Sequence, residues 1–395
     1  MKSILNISNI YILLWCLYSL QGALYAKGSI ISQSILAILM LISLYYFAMV
    51  NILKVKTPIV LHILSILIVI FSIYGVIYIL SGHVNALGSM SFDYLKEIYM
   101  SLLPIYPFYI FSRQGNINER TLRIWTPIFF LVAFAGYYTA SIDINATYAT
   151  QQEMDNEMTN NAGYLFLSLI PITMIYKDKP IIQYSLLAIA LVFIIFAMKR
   201  GAILIAGVCL LWIMYYSYKN GSVRRKFSII ILSLVLLIGL SYLIMHLYTE
   251  NEYFVSRIEN TIEGDSSERD VIFSTLYNYY IYETSVLQFM FGSGANATVD
   301  IAGNYAHNDW LEIAVDNGFV CVILYLIYWI YLLRTCHNAK SNLTQYMIIS
   351  LFFIITFLET IFSMSFNSIP IYLSIAMAWA LSSMQNLSKE NEETI

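Results

Sequence analysis

Charge is what this chain has least of. Asp, Glu, Lys and Arg make up 11% of its 395 residues, against roughly a quarter in an ordinary soluble domain. With 59% hydrophobic residues and a mean hydropathy of +0.70, the chain is not built to be solvated mainly by water. Cysteine is scarce too. Cys16, Cys209, Cys321 and Cys336 fall inside apolar runs or at their edges, which excludes a disulfide framework and a cysteine-based metal site. No Walker loop, dinucleotide fingerprint, zincin motif or nucleophile elbow occurs, so nucleotide-driven and metal-hydrolase chemistry find no support. There is no fixed-period repeat and no inverted pair of broken helices of the kind that marks a secondary transporter. Residues 1–395 therefore read as a single domain.

What the chain does have is apolar runs. Windows near residues 4–25, 30–53, 59–80, 95–112, 124–140, 162–176, 181–198, 201–218, 227–247, 311–333, 346–363 and 369–386 approach the length needed to cross about 30 Å of hydrocarbon. The first run has a Lys2 flank but is too long for a signal peptide, and no small-residue cleavage site follows a short apolar core. The expected fold class is thus an all-α polytopic membrane protein of about twelve transmembrane helices. Placing the N-terminus in the cytoplasm puts fifteen Lys and Arg inside and six outside, namely Lys27, Lys96, Lys199, Arg200, Arg257 and Arg269. This obeys the positive-inside rule and favours an even helix count, with residues 387–395 as a cytoplasmic tail. Eighteen of the twenty-four carboxylates fall on the outer side. An acidic outer face repels anions, so a basic residue there calls for a specific explanation.

Residues 248–308 form the longest external loop, and a loop of this length is more often functional than connecting. Within it, 268–291 reads as an amphipathic helix with Val271, Leu276, Tyr280, Val286 and Leu287 on one face, broken by Phe291-Gly292-Ser293-Gly294. The loop ends at Ala306-His307-Asn308-Asp309-Trp310-Leu311. A histidine there is placed to exchange protons with a substrate near the headgroups, or else anchors the helix at the interface. Lys199-Arg200 sits in a tight turn between two apolar runs. A guanidinium in that position suits a diphosphate, and snorkelling toward lipid phosphates is the other reading. Arg269, flanked by Glu268 and Asp270, is either a phosphate ligand or a surface ion pair. Glu359 lies about one turn from the outer end of its helix. A carboxylate there marks a functional site by default, or else bonds a neighbouring helix.

The order of these parts resembles the O-antigen polymerase and ligase superfamily: two helices split by a basic dipeptide, another helix, a long external loop with an Arg and a Gly-x-Gly break, then His-Asn-x-x-Leu-x6-Gly entering a helix. The resemblance spans roughly 160–333. It departs from the family in having Lys199-Arg200 for Ser-Arg and Glu268-Arg269 for Gly-Arg. What it implies is a GT-C-like glycosyltransferase of the bacterial inner membrane acting on its periplasmic face. The donor would be undecaprenyl-diphosphate-linked oligosaccharide, and a chain-length regulator an additional partner. Neither nucleic acid nor a cofactor is implied, and no metal, since two guanidinium groups can take the place of a divalent cation. Arg200, Arg269 and His307 would be catalytic, with Lys199, Asn308 and Glu359 binding diphosphate or glycan. Joining repeat units is favoured over transferring the finished chain to lipid A core, because an acidic outer face and a pI near 6.0 suit a phosphate-rich acceptor poorly. A flippase for the same lipid-linked sugars is the reading from another class. It would be expected to carry charges scattered through its helices, where Glu359 stands nearly alone.

Overall fold

The computed structural model describes residues 6–53, 55, 57–88, 91–150, 160–251, 254, 255, 258, 259 and 269–393. Lys2, Lys54, Lys56, Arg257 and Glu268, which entered the charge pattern above, lie outside the described residues. Every regular element among the described residues is helical.

In chain order these are α1 (Ile7–Ser19), α2 (Ile30–Ile52), α3 (Ile59–Ser81), α4 (Ser91–Leu102), α5 (Ile105–Arg113), α6 (Glu119–Thr150), α7 (Ala162–Leu167) and α8 (Ile170–Thr173). They continue as α9 (Pro180–Phe196), α10 (Arg200–Lys219), α11 (Val223–Glu250), α12 (Arg269–Asn278), α13 (Val286–Phe291), α14 (Ala297–Ala302), α15 (Asp309–Asn338), α16 (Leu343–Phe362) and α17 (Ile371–Glu393). Every expected apolar window contains helix, though the first, 4–25, is helical only over Ile7–Ser19 among the described residues. Among the described residues, seven helices are long and apolar enough to cross a bilayer: Ile30–Ile52, Ile59–Ser81, Glu119–Ile142, Arg200–Lys219, Lys226–Glu250, Asp309–Ser341 and Leu343–Phe362. Four shorter apolar helices accompany them, Ile7–Ser19, Ala162–Tyr176, Pro180–Phe196 and Ile371–Met384. The chain is therefore an all-α membrane protein. The window at 95–112 is split between α4 and α5 at Pro104, whose missing N–H cannot continue the ladder.

The core is aromatic where the helices meet. Tyr106, Phe108, Tyr109 and Phe111 of α5 are buried, and α17 packs along that helix. Outward-facing side chains such as Leu41 (67% exposed), Ile77 (60%) and Ile238 (68%) are the apolar surface that lipid, not water, accommodates.

The long loop departs from its expected form. Instead of one helix over 268–291, α12 runs into a π turn at Tyr279–Glu283, Thr284 is extended, and Ser285 restarts the chain as α13. Ser285 makes a capping box with Gln288, which satisfies the new helix end and favours the break. The supposed common face is split with it. Leu276 and Tyr280 are buried, whereas Val271, Val286 and Leu287 are exposed.

Candidate functional site

The loop is fastened to the start of α15 by buried carboxylates. Asp309, Glu312 and Asp316 are all nearly inaccessible, and at i, i+3 and i+7 they share one helix face. Glu312 accepts from the Thr298 hydroxyl at 2.7 Å and from the Ala306 N–H at 2.7 Å. Asp316 accepts from the N–H groups of Asn296 (2.8 Å) and Thr298 (3.0 Å). Asp309 reaches the other way, accepting from Ser365 N–H (2.8 Å), Phe366 N–H (3.2 Å) and the Tyr325 hydroxyl (2.5 Å). The first two turns of α15 thus tie the loop on one side and the α16–α17 connection on the other.

The glycines of the motif close that assembly. α15 is kinked at Gly318 (φ 82°), and the carbonyls of Val315 and Asp316 beside the kink accept from Ser293 N–H (2.8 Å) and Gly294 N–H (3.0 Å). A Cβ on Gly292 would fall 2.2 Å from the Asp316 carbonyl oxygen, and one on Gly318 would fall 2.4 Å from the Gly292 nitrogen. Both glycines are therefore required by backbone-to-backbone contact.

His307 is held between these anchors. Ala306 before it is fixed by Glu312, and Asn308 after it caps α15, its side-chain oxygen accepting from Leu311 N–H at 3.1 Å. His307 itself adopts φ 50°, and Met198, just before Lys199, adopts φ 53°. Left-handed backbone costs an ordinary residue about 1–2 kcal/mol and tends to collect at functional sites.

These segments converge. Arg269 crosses from α12 to the end of α16, its Nη1 donating to the Phe362 carbonyl at 2.9 Å. Tyr164 of α7 lies within electrostatic range of Arg269 and Glu359 and beside Ser363. Its hydroxyl is 2.6 Å from where a Cβ on Gly201 would sit, so a side chain there would push the Tyr164 hydroxyl aside. Burial first, then the positive charges of Arg269 and Lys199, push the His307 imidazole down from 6.5 to about 4. At neutral pH it is an uncharged proton acceptor facing two cations. Arg200 is the first residue of α10, with Lys199 at its N-cap; of the two, Lys199 is the one whose charge bears on His307. Glu359 is buried beneath, its Oε2 without a hydrogen-bond partner among the described residues. It lies within electrostatic range of Tyr164, Cys209 and Asp309.

Sequence reading missed Tyr164 and the three buried carboxylates. The i, i+3, i+7 spacing of acids at the head of an apolar helix was the available signal. No protein-family model matches the chain, and no curated protein matches it.

Proposed function

We propose that the chain is a GT-C-like glycosyltransferase of the bacterial inner membrane with about twelve spans, both termini cytoplasmic and the long loop periplasmic. In this reading it polymerises surface glycan, moving an undecaprenyl-diphosphate-linked oligosaccharide onto another lipid-linked repeat unit. The observation that carries the reading is the meeting of Arg269, Lys199 and a neutral His307 where the long loop joins the helices. Two fixed cations match a lipid diphosphate leaving group, and a neutral imidazole beside them matches a hydroxyl nucleophile.

The step balances with these groups. The acceptor hydroxyl oxygen bonds to the anomeric carbon while the bond from that carbon to the diphosphate oxygen breaks. The electron pair leaves on the diphosphate, where Arg269 and Lys199 stabilise the growing charge, with Arg200 as the further guanidinium of the basic turn. The hydroxyl proton passes to His307. The energy is already held in the diphosphate linkage, so no nucleotide sugar enters the step.

The test is the surface-glycan ladder of cells lacking the gene, complemented at matched expression with wild type, Arg200→Ala, Arg269→Ala or His307→Ala. A core bearing a single repeat unit in the deletion and the variants is the expected result. Bare core with long lipid-linked chains accumulating would assign the ligase reaction instead, and an unchanged ladder would refute both.

A further inference from the structure

A cavity of about 960 Å³ opens between the end of α3 and the Gly292–Gly294 segment, apart from the basic cluster. Its size is that of a ligand pocket, which typically runs to roughly 300–1,000 Å³. Its two ends differ in chemistry. Ile73 and Ile77 line the lower part and belong to the exposed, lipid-suited surface of α3. Ser81, His83, Ser293 and Asp300 gather at the upper part.

The upper part is a built polar site. Asp300 accepts from Ala86 N–H at 3.1 Å and pairs with the His83 imidazole at 2.8 Å, which joins the α3–α4 connection to α14. Each carboxylate oxygen keeps a lone pair for a further donor. Tyr74, whose hydroxyl donates to the Phe291 carbonyl, and Tyr78 contribute ring surface to the wall. Among the described residues no Lys or Arg lines the cavity, and the Asp300 carboxylate disfavours an anion. The charge is thus opposite in sense to the Lys199 and Arg269 cluster. Aromatic wall, hydroxyls and a carboxylate without cations suit an uncharged polyhydroxyl ligand, whose C–H faces lie on rings and whose hydroxyls donate to the acid.

We infer that this cavity is a second glycan subsite, holding uncharged sugars of the acceptor's repeat unit away from its attacking hydroxyl. The inference rests on the function proposed above, with the basic cluster taking the donor diphosphate. Both subsites hang on the same helix. Gly292–Gly294 rests on the Val315–Gly318 kink, and the loop end before His307 rests on Glu312.

The test uses full-length protein in lipid nanodiscs with two probes, each titrated by calorimetry. One is the oligosaccharide released by mild acid from the producing cells' own surface glycan, and the other is undecaprenyl diphosphate in phosphatidylethanolamine vesicles. Asp300→Asn removes the acceptor charge. Val84→Trp obstructs the cavity from a residue that is 57% exposed, so that folding is kept. Oligosaccharide binding at least tenfold weaker in both variants, with undecaprenyl diphosphate binding unchanged, is the expected result. Wild-type protein that does not bind the oligosaccharide, variants that bind it like wild type, or a Val84→Trp that loses undecaprenyl diphosphate instead would each overturn the subsite. Failure of the polymerase reading shows separately, as an intact ladder in Arg269→Ala and His307→Ala cells.

Discussion

At the scale of single residues, His307 is an imidazole whose folded-state affinity for protons lies below its ordinary value. Unfolded chains therefore bind more protons than folded ones between 6.5 and about 4. Any stability linked to this group is complete above 6.5 and is lost as pH falls through that window. The same shift shapes the rate. Transfer measured with lipid-linked donor should hold its plateau well below 6.5 and fall only as pH approaches 4, whereas an unperturbed histidine would halve the rate at 6.5. In Lys199→Gln the acid limb should move upward, by less than the whole displacement, because burial is the larger cause. His307→Ala should lower the plateau itself by about 10²–10⁴-fold. Asp309 has a different role. Replacing it with Ala strips an acceptor from two N–H groups and a buried hydroxyl, each worth about 1–3 kcal/mol when left unpaired. The thermal midpoint of detergent-solubilised Asp309→Ala should drop sharply, with Asp309→Asn in between. His307, Arg269 and the basic turn could be singled out in the sequence because basic groups are few on the expected outer side, and the fold brings His307 within electrostatic range of Arg269 and Lys199. Asp309, Glu312 and Asp316 were hidden by the same reasoning, since acids at a loop end read as solvated surface until the fold buries them.

At the scale of elements, the joint between the long loop and α15 depends on glycines that differ in what surrounds them. Gly292 and Gly294 both have positive φ, 80° and 117°, so an Ala at either strains the backbone by about 1–3 kcal/mol. Only Gly292 adds a collision, with the Asp316 carbonyl; Gly294 faces open space. Gly292→Ala and Gly318→Ala should therefore abolish transfer and reduce the yield of folded protein. Gly294→Ala should keep most of both, as read by size-exclusion profiles beside the glycan ladder. Hydropathy made the helices legible but not their ends, since α1 stops at Ser19 within the 4–25 window and α6 runs from Glu119 to Thr150 beyond 124–140. It could not show the restart at Ser285, which rests on a local cap. Nor could it show the kink at Gly318, because a window over 311–333 averages across the Asp316-Asn317-Gly318 interruption and still reads as one helix.

At the scale of the whole molecule, the sidedness of the site turns on parity. Among the described residues, seven long apolar helices and four shorter ones make an odd set, and the pair α4–α5 completes the proposed twelve. Their 12 and 9 residues would together extend about 30 Å if end to end, enough for the hydrocarbon core. α5 is buried from Ile105 to Ser112, as a helix inside a bundle is. Charge points the same way: Asp93 and Lys96 lie in the first turns of α4, while Arg113 ends α5 and Arg120 and Arg123 stand at the start of α6, and a crossing puts the arginines in the cytoplasm. A green fluorescent protein fused after Ile395 should then fluoresce. In protein stripped of its four native cysteines, Asn304→Cys should react with an impermeant maleimide from the periplasm, while Gly221→Cys should react only after lysis. A dark C-terminal fusion with active alkaline phosphatase in its place would mean that α4–α5 does not cross. One half of the molecule would then be inverted relative to the other. If the C-terminal half is the inverted one, His307 and Arg269 would face the cytoplasm, where a periplasmic lipid-linked glycan cannot reach them.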